Sequence, residues 1–330
     1  MSDLPVTVAV PAYNGAAHIA EAIGSILDQR GVAFELIISD DHSDDRTPEV
    51  VRALAGDRAR VEVNHQRLGL AGNWNHCVEL SRTPLVAVFH QDDVMGPEHL
   101  ADHVAAFARD DSIGLVASAS EVIDERGEPL PESVVARGGL GPIDRVIEPG
   151  GLAVAMTGGN PLRCSAVTIR RAAFDEAGGF DPSLRYVLDA EFWLRVSRRW
   201  RIAWLARPSV KVRWHRESET HRFKPGLADL EESARLLETL VSVDLKGAAN
   251  LSQLQRTANR RLARAYLNRA QDALRAGRTE LARKALGRGL GLSPMMAAEL
   301  IRDPRLGVQM ATLAMAPGVA GRLFGRSESK

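Results

Sequence analysis

Two adjacent carboxylates, Asp92 and Asp93, stand just past an apolar run in the stretch Leu85 to Pro97, LVAVFHQDDVMGP. The carboxyl end of a buried parallel strand is where open α/β sheets place ligands. An acid pair there can hold a divalent cation carrying a phosphorylated substrate. The same dipeptide also serves as a plain turn or as the N-cap of a helix starting near Pro97. Other loops bear on the choice. The apolar run Val6 to Val10 ends in Pro11-Ala12-Tyr13-Asn14, the run Glu35 to Ser39 ends in Asp40-Asp41, and Asp189 opens the segment that carries Phe192 and Trp193. In a parallel sheet the Pro11–Asn14, Asp40-Asp41 and Asp92-Asp93 loops converge on one edge. They would bring together an aromatic ring, an acid able to accept from a base N–H and an acid able to bind a metal, which is a nucleotide diphosphate site in outline. The chain has no GxxxxGK[ST] and no strand-linked GxGxxG, so P-loop and dinucleotide-binding readings lose their main support.

The elements that must position these groups follow from hydrophobic periodicity. Strands are expected at Val6–Val10, Glu35–Ser39, Val61–Asn64 and Leu85–Phe89, and helices at Ala16–Gln29, Pro48–Leu54 and Asn73–Leu80, the second capped from Ser43, Asp44 or Thr47. Such alternation predicts a parallel sheet with helices on both faces. Further on, Pro97–Ala108 reads as helix, Ile113–Ser118 as strand, and the Gly- and Pro-rich Glu125–Gly151 as an extended flap. Then come a strand at Ala166–Ile169, helices at Arg171–Ala177 and Asp189–Arg199, and two short strands at Ile202–Leu205 and Val210–Trp214. From Leu227 the pattern is helical throughout. Arg264 to Pro294, with a turn at Gly277, resembles one tetratricopeptide-like hairpin, read here as an appendage because stacked repeats normally need about three units to bury a core.

Composition sets outer limits. The 330 residues, 45% of them hydrophobic, suffice for a full-sized core, and suggest roughly two domains on the usual ~150-residue prior. The two cysteines, Cys77 and Cys164, form no CxxC or Cys/His cluster, so neither a disulfide framework nor a zinc site is expected and a reducing cytoplasm fits. The start, MSDLPVTVAVPAYN, has no basic stretch before its apolar run, and export is not expected. The uncharged run Leu306 to Gly321 falls short of the ~20 residues that span a bilayer. A formal net charge of zero conceals an asymmetry: Lys246 to Lys330 holds 16 Lys and Arg against 5 Asp and Glu. That basic region would suit an anionic membrane surface, the acidic body of the same chain or nucleic acid, or be a solvated helix face.

The segments VAVPAYNGAAHIAEAIGSILDQ, ELIISDDHSDDRT, RLGLAGNWNHCVELSRTPLVAVFHQDD, GGFD and LDAEFWLRV run in this order from about Thr7 to about His215. Together they resemble the family 2 glycosyltransferases with a GT-A fold. The resemblance implies an α/β, Rossmann-like, mostly parallel sheet with helices on both faces over residues 1–225, followed by a C-terminal α-helical region over 226–330. It implies inverting transfer of a sugar from a nucleotide diphosphate donor to a hydroxyl acceptor, with Mn²⁺ or Mg²⁺. Carried over by position, Pro11, Tyr13 and Asn14 would line the nucleoside pocket, and Asp40 would accept from a uracil or thymine imide N–H. Asp41 would assist or support the loop. Asn73 falls where the family often has an Arg-Asn pair near the phosphates, but Gly72 replaces the Arg, leaving Arg67 as a candidate for phosphate charge. The family's acidic motif is often Asp-x-Asp-Asp; here it reads His90-Gln91-Asp92-Asp93. The resemblance then gives Asp93 to the cation and Asp92 to the ribose or the cation edge, with His90 either an extra ligand or a simple hydrogen-bonded ring. Asp189 matches the general base, with Glu191 as the spare candidate and a helix cap as the competing reading. Arg213 and His215 resemble an Arg-x-His pattern that closes over the diphosphate or completes the metal shell, or else end an edge strand at the surface. Gly158 to Pro161 and Ser165 form either an acceptor-side loop or a turn.

The resulting expectation is a cytoplasmic, peripherally membrane-associated inverting enzyme of surface polysaccharide or glycolipid synthesis. Its donor would be a UDP- or dTDP-sugar and its acceptor a glycan or lipid-linked sugar, with no nucleic acid partner and the oligomeric state open. Two alternatives stand beside it. A sugar nucleotidyltransferase would need a basic Gly-rich loop after the first strand, and PAYNGAAHIAE has no Lys or Arg. A non-catalytic interaction protein would use the basic helical tail as its working surface.

Overall fold

The computed structural model describes residues 5–130, 139–215 and 225–324. They fall into two compact units, one drawn from Met1–Met156 and Asn160–Arg216, the other from Thr157–Gly159 and Glu217–Lys330.

The first unit is built on β1 (Val6–Ala12), α1 (Ile19–Leu27), β2 (Phe34–Asp40), α2 (Thr47–Ala55), β3 (Arg60–Val63), α3 (Leu70–Leu80) and β4 (Leu85–Val88). There follow β5 (Val94–Met95), α4 (His99–Phe107), β6 (Ile113–Ile123), β7 (Arg145–Ile147), α5 (Leu152–Met156), β8 (Val167–Arg170), α6 (Arg171–Ala177), α7 (Leu188–Ser197) and β9 (Arg201–Arg213). All nine strands join one sheet in the order β3-β2-β1-β4-β8-β6-β9-β5, with β7 on β9. The β-branched run of β1 is buried on both faces, as a central parallel strand requires. Ile19, Ala22, Ile23 and Ile26 of α1 pack into the same core.

The expected α/β class holds, but the parallel character is local. Ladders β1/β2, β2/β3, β1/β4 and β6/β9 are parallel, whereas β4/β8, β6/β8, β5/β9 and β7/β9 are antiparallel. The second half therefore grows by strands entering the other way, which short apolar runs such as Val167–Arg170 do not announce. The two short strands expected near residues 202 and 210 are one strand, β9, kept continuous past Pro208 by register shifts against Ser118–Ser120 of β6. The expected flap lies partly outside the described residues; within it, β7 pairs with β9. Asp92-Asp93 is not a helix cap, because β5 follows at once and pins the pair onto β9 through Val94 and Met95.

The second unit contains α8 (Ala228–Thr239), α9 (Leu251–Arg275), α10 (Thr279–Leu292), α11 (Met296–Arg302), α12 (Pro304–Met315) and α13 (Pro317–Phe324). The expected hairpin is α9 and α10, turned at Gly277 with φ of +69°. Ala263, Tyr266, Leu267 and Ala270 meet Ala282, Ala285 and Leu286 in its core. Arg269 clamps α8 through a bidentate pair with buried Asp229, at 2.7 and 3.0 Å. Among the described residues no helix is long and apolar enough to cross a membrane.

Beneath the sheet, His99 and His103 lie one turn apart on α4, fully buried, with ring centroids 4.0 Å apart. His99 Nδ1 is hydrogen-bonded with Ser209 Oγ and His103 Nδ1 with Thr168 Oγ1, both at 2.8 Å, and neither Nε2 has a partner. Burial pushes His99 down to about 3, and burial together with His99 holds His103 well below its ordinary value. Both rings are therefore neutral in the fold but take up protons near pH 6.5 in the unfolded chain. Stability is fully present above pH 6.5 and drains as pH falls below it, for His99 down to about 3, by about 1.4 kcal/mol per pH unit for a ring. Thermal unfolding at pH 7.5 and pH 5 should show this loss, and His103→Asn should flatten the pH dependence by about half.

Candidate active site

Parallel pairing in register places the site. Ala12 at the end of β1 stands opposite Asp40 at the end of β2, and Ala9 opposite Val88 at the end of β4, so three strands deliver their following residues to one rim. Asp41 N–H closes onto Ala12 C=O at 2.7 Å, and Phe89 N–H onto Ala9 C=O at 2.9 Å.

On the β2 side both acids are buried and occupied. Asp40 accepts from Ser43 N–H at 2.9 Å and Ser43 O–H at 2.6 Å. Asp41 accepts from Leu68 N–H at 2.6 Å, Gly69 N–H at 2.9 Å and the Asn64 amide at 3.1 Å, tying the loop before α3 to the rim. Asn73, expected beside phosphates, lies beneath this loop instead. Its side chain is bonded to Ser39 Oγ, Ser39 C=O and the Asn64 amide, a buried polar network that braces the ends of β2 and α3. The corrected role has a simple cause: α3 begins at Leu70, not at Asn73, and Asn73 falls on its inward face. Arg67 spreads its guanidinium 3.7 Å over the Tyr13 ring and remains half exposed, leaving a flat cationic and aromatic surface at the mouth. Asn14, at φ of +48°, accepts from Asp44 N–H through its side chain and donates its own N–H to Ser43 Oγ. Pro11, the penultimate residue of β1, is part-buried.

Gln91 couples the Tyr13 loop to the acidic pair. Its amide donates to Tyr13 C=O at 3.0 Å and accepts from Tyr13 N–H at 2.9 Å. A Cβ on Gly15 would lie 2.1 Å from Gln91 Oε1, so the staple requires glycine there. Gln91 fills the variable position of the acidic motif, so nothing in the sequence assigned it a role, and its partner 78 residues away was not readable.

Asp93 is buried and accepts from Ser165 O–H, in a very short contact, and from Arg213 N–H at 2.8 Å. Burial and the neighbouring charge of Asp92 raise its carboxyl above the usual range. Burial works against ionised Asp92 too, but its hydrogen bond with His215 Nε2 at 2.8 Å, aided by His90, outweighs that and holds it low. His90 Nδ1 lies 3.7 Å from Asp93 Oδ2 and its buried Nε2 has no hydrogen-bond partner. Ligand atoms of His90, Asp92 and Asp93 all come within 4.8 Å of one another. Two carboxylates and an orphaned imidazole nitrogen form a donor set that fits a divalent cation. The expected ligand pair was Asp93 with His215; the geometric cluster instead takes in His90, with His215 behind Asp92 and its ring 5.1 Å from that of His18.

Arg213 is not disposed toward a diphosphate. Its buried guanidinium donates to Asp92 C=O, Asp124 C=O, Glu125 C=O and the Glu21 carboxylate, at 2.6 to 3.2 Å. It is a brace that fixes the Asp92-Asp93 loop against α1 and the end of β6. Glu21, unnoticed in the sequence because it sits on an ordinary helix face, completes it.

Asp189 lies in the first turn of α7, part-exposed, and accepts from the Asn160 amide at 2.8 Å. Its charge reaches both His90 and the buried Cys164 thiol, and Cys164 also feels Asp93. Base candidate and acidic pair thus flank the same two side chains. Glu191, the spare, is committed to Arg195 at 2.7 and 2.8 Å. Asn160 and Ser165, from one loop, touch Asp189 and Asp93 respectively.

The mixed sheet with its helices has the GT-A fold, which solved structures share. S. aureus TarS (residues 1–349, in complex with UDP-GlcNAc) matches the structure with a TM-score of 0.60 at 16% identity, over 87% of this chain and 89% of that one. The Pyrobaculum calidifontis mannosyltransferase PcManGT, solved with GDP-Man and Mn²⁺, matches with a TM-score of 0.56 at 17% identity, over 96% and 86%. The sequence profile of Glycosyl transferase family 2 matches residues 7–175, and the chain belongs to that family. An uncharacterized protein of Mycobacterium tuberculosis, MT1568, is 28% identical over 72% of this chain and 75% of its own length.

Removing the Arg213 guanidinium would strand three backbone carbonyls. Arg213→Met is therefore expected to lower unfolding free energy by roughly 2–4 kcal/mol, read by urea denaturation. A variant of unchanged stability but weakened nucleotide binding would instead place Arg213 on the ligand.

Proposed function

We propose that the protein is an inverting, metal-dependent glycosyltransferase that moves a hexosyl or deoxyhexosyl group from a UDP- or dTDP-sugar to a hydroxyl of a glycan or lipid-linked acceptor. The catalytic domain would span residues 1–225, with the helical region following. The observation that carries this reading is the common neighbourhood of Asp189, His90 and Asp93 on the sheet rim. The binding of UDP-GlcNAc by TarS and of GDP-Man with Mn²⁺ by PcManGT supports a nucleotide-sugar donor and a cation, while leaving the base open.

In this reading the base of the nucleotide stacks at the Tyr13 and Arg67 surface, beside Pro11 and Asn14. Asp40 accepts the imide N–H with the lone pairs that Ser43 leaves, and Asp41 holds the loop. Asp93, Asp92 and His90 hold Mn²⁺ or Mg²⁺, with His215 in support; imidazole donors favour Mn²⁺. Such an ion supplies neutralisation of the charge that develops on the departing diphosphate. Asp189, aimed by Asn160, removes the acceptor hydroxyl proton as that oxygen attacks the anomeric carbon from the side opposite the diphosphate.

Thermal-shift titration of UDP- and dTDP-sugars with Mn²⁺ tests the binding half. A true donor at ~100 times its dissociation constant should add about 2.7 kcal/mol, and Asp93→Ala should abolish the Mn²⁺-dependent part. Asp189→Asn should keep the shift but lower transfer by roughly 10²–10⁴-fold. If no nucleotide diphosphate stabilises the protein in the presence of Mn²⁺, the assignment fails.

A further inference from the structure

Helices α10, α11 and α12 enclose an open cavity of about 470 Å³ whose lining carries no charged side chain; Leu286, Leu290, Leu300, Ile301, Val308 and Ala311 are among its walls. The helices approach closely because position 307 is glycine: a Cβ there would lie 2.4 Å from Leu300 C=O. Met310 and Leu313 of α12 point into the core of the unit, so the stripe Pro304, Val308, Ala311 and Met315 is a second apolar face on the same helix. That face is bare. Ile301 is 79% exposed, Met315 81%, Leu323 on α13 66% and Val308 61%. Of these, Ile301 and Val308 line the cavity, and soluble surfaces rarely leave several large apolar side chains on neighbouring helices without a partner.

The chemistry of the rim selects the partner. Arg302 and Arg305 follow directly on the lining residues Ile301 and Pro304, and Arg322 precedes Leu323; all three are exposed. Two acids, Glu299 and Asp303, stand among the three arginines in this stretch, and Asp303 caps α12 by accepting from Leu306 N–H. The surrounding chain, Lys246 to Lys330, holds 16 basic residues against 5 acidic ones. Apolar side chains interleaved with arginines, on short helices none of which can span a bilayer, are the pattern of an interfacial membrane contact. We propose that the α11–α13 face docks on an anionic lipid bilayer, with Ile301, Val308, Met315 and Leu323 entering the acyl boundary, a lipid chain in the cavity, and Arg302, Arg305 and Arg322 on lipid phosphates. This surface is independent of the nucleotide-sugar reading, since it needs neither donor nor cation.

Cosedimentation of the full chain with vesicles tests it. Binding is expected to phosphatidylcholine vesicles containing about one third phosphatidylglycerol, and to weaken on removal of phosphatidylglycerol or addition of salt. Val308→Asp with Met315→Asp should weaken binding by roughly two orders of magnitude. Both positions are exposed, and an unchanged thermal midpoint would verify the fold. Arg302→Ala and Arg305→Ala, which remove no apolar contact, should each cost about fivefold. Equal binding to neutral and anionic vesicles, or unaltered binding by the double aspartate variant, would overturn the proposal. So would a dimer by light scattering that the aspartates convert to monomer without any vesicle binding, which would make the face a contact between two copies.

Discussion

The Asp93 carboxylate is where separate parts of the chain are tied into one rim. Ser165, just ahead of β8, gives it a hydroxyl; Arg213, at the end of β9, gives it a backbone N–H and turns its guanidinium back on the neighbouring carbonyls. A buried carboxylate is costly unless its oxygens are satisfied. That requirement fixes the ends of β4, β8 and β9 relative to one another more firmly than apolar packing, which tolerates sliding. The raised affinity of Asp93 for a proton and the low one of Asp92 express the same arrangement: two acids side by side, one facing protein donors and the other a histidine. A proton and a cation would compete for such a place, where the His90 ring adds a neutral donor to the two acids.

Much of this was legible in the sequence, for physical reasons. Strands β1, β2 and β4 are buried on both faces and read as continuous apolar runs, and parallel pairing of such runs sends their ends to one edge. The acid pairs and Tyr13 could therefore be referred to one edge before any coordinates, whereas Asp189 was singled out as a base only by the family resemblance. What stayed hidden depends on direction and register. Nothing in VTIR marks β8 as antiparallel, and nothing in the interval around Pro208 says that a strand runs through it. Side-chain loyalties were harder still. Arg213 and Asn73 have the right types and positions for ligand contacts, yet both are used up inside the protein, because polar groups at strand ends must first satisfy their own backbone. Gln91 shows the converse, a residue at the variable position of the acidic motif that proves to join two loops.

The helical unit follows a different logic. Its core is alanine- and leucine-rich, with small residues where α9 and α10 run close and a buried Arg269–Asp229 pair fixing α8. Its outer helices are less completely enclosed, so the same fold that secures one apolar face of α12 leaves the other in solvent. A helix with two apolar faces is seldom the product of core design alone.

The Gln91 staple has a bearing on how this sequence can vary. The amide fills the space over Gly15 and grips both polar atoms of the Tyr13 backbone, so positions 15 and 91 share one volume and one pair of bonds. A shorter acid at 91 would carry no N–H for the Tyr13 carbonyl and would open a gap above the glycine. A larger residue at 15 would evict the amide. A substitution at either site is thus constrained by the residue at the other, and the aromatic loop and the acidic loop are held as a single part.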